Sequence, residues 1–181
     1  IFFIGGKSKS GKTTFSNVIK NYFNNKNLVC HIISLDNWLK NSSDRGNNVM
    51  ERYSILEINK IISKISKIKN KPIKVYIPFY NKFKKINIKT DDFIIIKPTD
   101  IVIFEGVIAL NLISKRNYLH EYLYIKIDEN LRKQRFFDEY MSRGFKTVEI
   151  KKLYNSRELD ETPFIESSIL DSRILNLDII W

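Results

Sequence analysis

The segment Gly6-Lys7-Ser8-Lys9-Ser10-Gly11-Lys12-Thr13 constrains this chain more than any other. It fits the pattern G-x-x-x-x-G-K-[ST]. An apolar run over 1–4 precedes it, and Phe15, Val18, Ile19, Tyr22 and Phe23 follow at i, i+3, i+4 spacing. A buried strand, a glycine-rich turn and a helix over 12–23 are predicted in that order. Such a loop wraps its backbone N–H groups around a phosphate, and the helix points its positive N-terminal end at the same group. Lys12 is expected to reach the β- and γ-phosphates, and the Thr13 hydroxyl to bind Mg2+. Thr14 offers a hydroxyl to another phosphate. The candidate nucleotide-binding residues are therefore Gly6, Lys7, Ser8, Lys9, Ser10, Gly11, Lys12, Thr13 and Thr14. The match argues for nucleotide binding and leaves the reaction open.

The rest of the chain alternates strand and helix patterns. Apolar strands are predicted over 28–34, 101–104, 122–127 and 177–180, and a polar loop over 35–48. A helix over 50–69 carries Ile55, Ile58, Ile61, Ile62, Ile65 and Ile68 on one stripe with lysines opposite, and Pro72 ends it. Further helices are predicted over 131–141 and 149–159, the first stopping near Arg143-Gly144. Short strands over 73–77, 86–88 and 93–96 form a hairpin-like insertion with basic turns. The alternation predicts an α/β fold with a parallel sheet. A length of 181 residues suits one domain with a full core. The chain starts inside a strand without a methionine, and so reads as an excerpt of a longer protein.

Lys plus Arg number 31 against 20 acids, a formal net charge of +11. That excess suits an anionic partner such as a nucleotide, nucleic acid or acidic lipid, or else reflects a chain crowded with lysine, isoleucine and asparagine. One cysteine (Cys30) excludes a disulfide framework, and two separated histidines (His31 and His120) leave little for a His-based metal site. No apolar stretch approaches the roughly 18 residues a membrane helix needs, and the first residues are too few for a signal peptide. A cytoplasmic setting without a membrane partner is expected.

Three activities compete on the residues alone: a small-molecule kinase, a GTPase-type switch, and an ATPase or kinase acting on nucleic acid. No N-K-x-D or D-x-x-G motif occurs, which disfavours the switch. A kinase needs a base beside the acceptor hydroxyl, Mg2+ ligation, and cations around the transferred group. Asp36 follows the second strand and Glu105 ends the strand over 101–104. Strand C-terminal ends face the ligand crevice of a parallel sheet, so both carboxylates point at the phosphates. Asp36 is the candidate base and Glu105 the candidate Mg2+ ligand beside Thr13. Arg135, Arg143 and Arg157 lie on the basic C-terminal helices and are candidates to close over the phosphates. Trp38 is a candidate to stack on the acceptor or to anchor its loop.

The series GGKSKSGKTT, ISLDNWLK, PIKVYIPFYNKF, DIVIFEGVIAL and RFFDEYMSRG resembles the uridine kinase and phosphoribulokinase-like family of P-loop kinases, in order and spacing over about residues 1–144. The resemblance implies a P-loop NTPase fold: a five-stranded parallel sheet flanked by helices, with a β-hairpin insertion over about 73–97 and a helical lid over about 135–160. It implies ATP and Mg2+ as cofactors and a small metabolite hydroxyl as acceptor. Nucleic acid is then not the expected partner, and a homo-oligomer is compatible. Asp36 matches the family's catalytic aspartate, Glu105 its E-G acid, and Tyr80 its hairpin tyrosine that contacts the nucleoside. Arg135 and Arg143 match its lid arginines. Two departures stand out. The hairpin run Pro78-Phe79-Tyr80-Asn81-Lys82-Phe83-Lys84-Lys85 lacks the Asp and His that help read a pyrimidine base, and Asp138 replaces a lid arginine. The basic hairpin suits an acceptor that already carries a phosphate or carboxylate. A non-catalytic regulatory nucleotide-binding domain and a nucleic-acid-acting kinase are the alternatives.

Overall fold

A computed structural model describes residues 1–112, 120–169 and 172–176. The chain enters through β1 (Phe2–Gly5) and turns into α1 (Lys12–Asn25). Next come β2 (Cys30–Ser34), a 3-10 turn (Leu35–Trp38) and α2 (Ile55–Ser66). The insertion contains β3 (Ile73–Tyr76), β4 (Phe79–Asn81), β5 (Ile86–Ile88) and β6 (Phe93–Ile96). Then follow β7 (Ile101–Glu105), β8 (Glu121–Lys126), α3 (Glu129–Ser142), α4 (Thr147–Glu166) and β9 (Arg173–Asn176).

Five strands form one all-parallel sheet in the order β2-β7-β1-β8-β9. This is the predicted α/β architecture with helices on both faces. The near-continuous apolar character of β1, β7 and β8 follows from burial on both faces. Successive residues of each strand feed opposite cores. Phe3, Ile33, Val102 and Phe104 pack toward α2 and the insertion, while Ile4, Ile103, Leu123 and Ile125 pack toward α1. Phe3 lies between Phe104 and Tyr122, with ring centroids 5.4 and 5.5 Å away. A third, smaller cluster of Phe136, Tyr140, Ile150 and Tyr154 joins α3 to α4.

Several boundaries differ from the pattern reading, each for a local reason. Only Phe15, Ile19 and Phe23 of the α1 stripe pack on the sheet, because Val18 and Tyr22 fall on the solvent side. Residues 50–52 form a separate 3-10 turn, so α2 begins at Ile55 and ends at Ser66, burying Ile58, Ile62 and Ile65. The stretch after Pro78 adds a strand, β4, whose Tyr80 pairs with Asn87 of β5. α4 runs through Pro163 to Glu166, because Ile165 is buried and the Asn111 side chain donates to the Phe164 carbonyl. The last sheet strand is Arg173–Asn176, while the predicted 177–180 lies outside the described residues.

Candidate active site

β1 ends at the centre of the sheet, where the chain order of neighbouring strands reverses, the position at which open α/β sheets bind ligands. The turn that leaves it is built from unusual backbone. Gly6 takes φ +142°, and a Cβ there would sit 2.5 Å from the Ile125 carbonyl oxygen and 2.8 Å from Ser10 Oγ. Gly11 starts α1 at φ 93°. Lys9, at φ 68°, is held in the left-handed region at a cost of about 1–3 kcal/mol. Such alternating turns aim successive N–H groups into one concavity, an anion nest.

Lys12 closes the loop on itself. Its Nζ donates to the Gly6 and Lys7 carbonyls at 2.9 and 2.8 Å. Burial pushes its ammonium below the usual lysine range, and the carboxylates of Glu105 and Asp36 work in the opposite direction. Lys9 is pushed down to about 8 by burial and by the nearby cations Arg143, Lys82, Arg157 and Lys12. Its ion pair with Glu139 works in the opposite direction, and an incoming phosphate adds a further anionic partner among those cations.

A cleft of about 1070 Å3 opens in front of this loop. That exceeds most single-ligand pockets, about 300–1000 Å3, and leaves room for a nucleotide and an acceptor side by side. The loop contributes Ser8, Lys9, Gly11, Lys12, Thr13 and Thr14 to its wall. Asp36, from the 3-10 turn after β2, and Glu105, the last residue of β7, face the same space. The Thr13 hydroxyl donates to Glu105 Oε2 at 3.2 Å, and Glu105 is only 5% exposed. Asp36 lies 3.3 Å from Lys82 Nζ, which reaches over from the insertion. Asp36, Thr13 and Glu105 offer hard oxygen donors beside a phosphate nest, a set that fits Mg2+ held partly by phosphate oxygens.

The remaining predicted residues fall in different places. Arg135 lines the cleft from α3. Arg143 is outside its wall, pairing with Glu139 and lying 5.1 Å from the Tyr140 ring centroid. Lys7 points away from the cleft toward Glu166 at 3.0 Å, with Glu129 and Glu158 each at 3.9 Å. Ser10 is buried and its Oγ has no hydrogen-bond partner among the described residues. Tyr80 does not reach the cleft: it is 7% exposed, and its hydroxyl accepts a hydrogen bond from Arg45. Trp38 is 2% exposed in the core, so packing makes it the loop anchor and removes it from the cleft wall. Both aromatics are held there because the β4–β5 hairpin packs against the 3-10 turn, with Asn87 of β5 donating to the Asn37 and Leu39 carbonyls at 2.6 and 2.9 Å.

One functional candidate escaped the sequence. Arg132 is 3% exposed and ties the lid helices to the loop. It donates to the Ser8 carbonyl at 3.2 Å and to the Tyr154 hydroxyl at 2.9 Å, and pairs with Glu129 and Glu158. Arg157 adds a bond to Ser8 Oγ at 3.1 Å, and Lys9 pairs with Glu139. The available signal was Arg132 standing four residues before Phe136 and eight before Tyr140, a charge on the apolar stripe of α3.

Comparison with known proteins adds three findings. The model of the Phosphoribulokinase / Uridine kinase family matches residues 1–175. A uridine kinase of Latilactobacillus sakei subsp. sakei (strain 23K) is 26% identical over 161 residues, covering 80% of this chain and 74% of the relative. Among solved structures, D-glycerate 3-kinase from Cryptococcus neoformans var. grubii is similar with a TM-score of 0.65 at 15% identity, covering 97% of this chain and 85% of that one. At that identity the likeness concerns the fold.

Proposed function

The chain belongs to the phosphoribulokinase/uridine kinase family of small-molecule kinases, and from that premise we propose that it transfers the γ-phosphoryl group of ATP to a hydroxyl of a small, anionic metabolite. The observation that carries this reading is the convergence of Lys12, Thr13, Asp36 and Glu105 on one cleft at the C-terminal ends of β1, β2 and β7. The loop N–H groups and Lys12 hold the β- and γ-phosphates. Thr13 and Glu105 would hold Mg2+, whose chemistry is to neutralise charge on the phosphate oxygens. Asp36 orients the acceptor hydroxyl and takes its proton at a carboxylate oxygen. Arg135 neutralises charge that develops on the transferred group. Arg143 is assigned the same work once Glu139 releases it. Arg132 and Arg157 act on the loop through Ser8 and are positioning residues.

The acceptor class follows from Lys82. Phosphate work is already shared among Lys9, Lys12 and Arg135, which reach the cleft from the loop and α3. Lys82 alone reaches it from the insertion, and it sits on Asp36. An acceptor bearing a carboxylate or phosphate gives Lys82 a new partner and leaves the Asp36 carboxylate to the hydroxyl. The setting is the cytoplasm, where ATP and Mg2+ are supplied. The test is ATP consumption over matched alcohols: glycerate against glycerol, sugar phosphates against the free sugars, uridine, and a short oligonucleotide. The expected result is turnover of an anionic member at least about tenfold above its neutral partner, one ion pair's worth of selectivity. Equal turnover of uridine removes the anionic acceptor. Turnover of the oligonucleotide alone, or of nothing, removes the small-molecule reading.

A further inference from the structure

We propose that a second cleft, between α2 and β3, binds a small soluble molecule that joins an apolar ring or chain to an acidic group. This inference stands apart from the kinase reading, because the second cleft shares no lining residue with the first. Its volume is about 360 Å3, within the range of small-ligand pockets, about 300–1000 Å3. Trp38, Ile61, Val75, Tyr76 and Pro78 supply an apolar lining, which favours a ligand body that leaves water.

The rim carries the opposite character. Glu57, Lys60, Ile61 and Lys64 recur at i, i+3, i+4 and i+7, one stripe along α2. Lys74 and Lys89 stand on the insertion side. Lys64 Nζ donates to the Lys74 carbonyl at 2.9 Å, and Lys74 Nζ lies 4.1 Å from the Phe93 ring centroid. Among the described residues, none of these four lysines has a carboxylate within 4.0 Å. Glu57 is the one acid against four ammonium groups. A neutral ligand leaves that charge unanswered, and a phosphate backbone leaves the apolar lining unanswered. A molecule with both parts satisfies both. Trp38 also closes the 3-10 turn that carries Asp36, so an occupant touches the element holding the candidate base.

The test is fluorescence titration with 8-anilinonaphthalene-1-sulfonate, an aromatic sulfonate, in saturating Mg-ATP. N-phenyl-1-naphthylamine serves as its uncharged counterpart. The expected result is one saturable sulfonate site, weaker binding of the uncharged probe, and affinity lowered about tenfold in K60Q/K89Q. K20Q/K26Q, with Lys20 on α1 and Lys26 just past its end, should bind as the parent does. Lys60, Lys89 and Lys26 are exposed and Lys20 is half-buried, and matching thermal unfolding verifies that each variant folds. Absence of a saturable site, equal binding of the uncharged probe, or unchanged affinity in K60Q/K89Q each overturns the proposal. So does binding confined to anionic vesicles or an oligonucleotide, which assigns the lysines to a macromolecular partner.

Discussion

At the scale of single residues, Lys9 offers the sharpest pH signature. Its ammonium is pushed down to about 8 in the free protein by burial and neighbouring cations. A bound phosphate favours the charged form and raises that value again. ATP binding therefore takes up a proton as the pH passes through about 8, and affinity falls as pH rises. Titration calorimetry in Mg-ATP from pH 7 to 9 should show weakening that approaches about tenfold per unit at the upper end. The slope should be shallower in Lys9→Met. A parent profile as flat as the variant's would mean that Lys9 stays charged or stays away from the phosphates. Lys12, Thr13, Asp36 and Glu105 were legible because each is defined locally, by a motif or a strand end. Arg132 and the Asp36–Lys82 pair were not, because their partners are set by tertiary approach: Ser8 is 124 residues from Arg132, and Asp36 is 46 from Lys82. The same limit hid the burial of Tyr80 and left Trp38 open between stacking on the acceptor and anchoring its loop, because both exposures depend on how the insertion closes over the 3-10 turn.

At the scale of elements, the lid helices have their own core. Phe136 is fully buried among Tyr140, Ile150 and Tyr154, apart from the two clusters on the sheet. Phe136→Ala should cost about 3–5 kcal/mol, and the loss should fall on α3 and α4. Hydrogen exchange should show residues 129–166 losing protection while β1 and β7 keep theirs. Phe104→Ala, in the stacked trio of the sheet, should lower protection everywhere together. Uniform loss in Phe136→Ala would show that the lid and sheet unfold as one unit. Strands buried on both faces were easy to read, because their apolar runs are continuous. β4 was hidden by Pro78 and by its three-residue length. α4 was cut short in the reading because Pro163 normally ends a helix, yet Ile165 packs its last turn onto the body of the protein.

At the scale of the whole molecule, the net charge of +11 divides by location. Lys7, Lys9, Arg132, Arg143 and Arg157 meet acids of α3 and α4, which leaves the lid tied to the loop by charge. The lysines of α2 and the insertion find one described acid, Asp36 through Lys82. No helix among the described residues is long and apolar enough to cross a membrane. The two halves of the charge face different clefts, one walled by the phosphate loop and one by the lysine rim. The central claim is that the first cleft performs phosphoryl transfer with Asp36 as the group that takes the hydroxyl proton. Single-turnover transfer of γ-labelled phosphate to the best acceptor, at matched ATP occupancy, tests it most directly. Asp36→Asn should slow transfer by about 100- to 10,000-fold, the range of general-base contributions, while ATP affinity stays within about twofold of the parent. Transfer at the parent rate in Asp36→Asn would contradict the account.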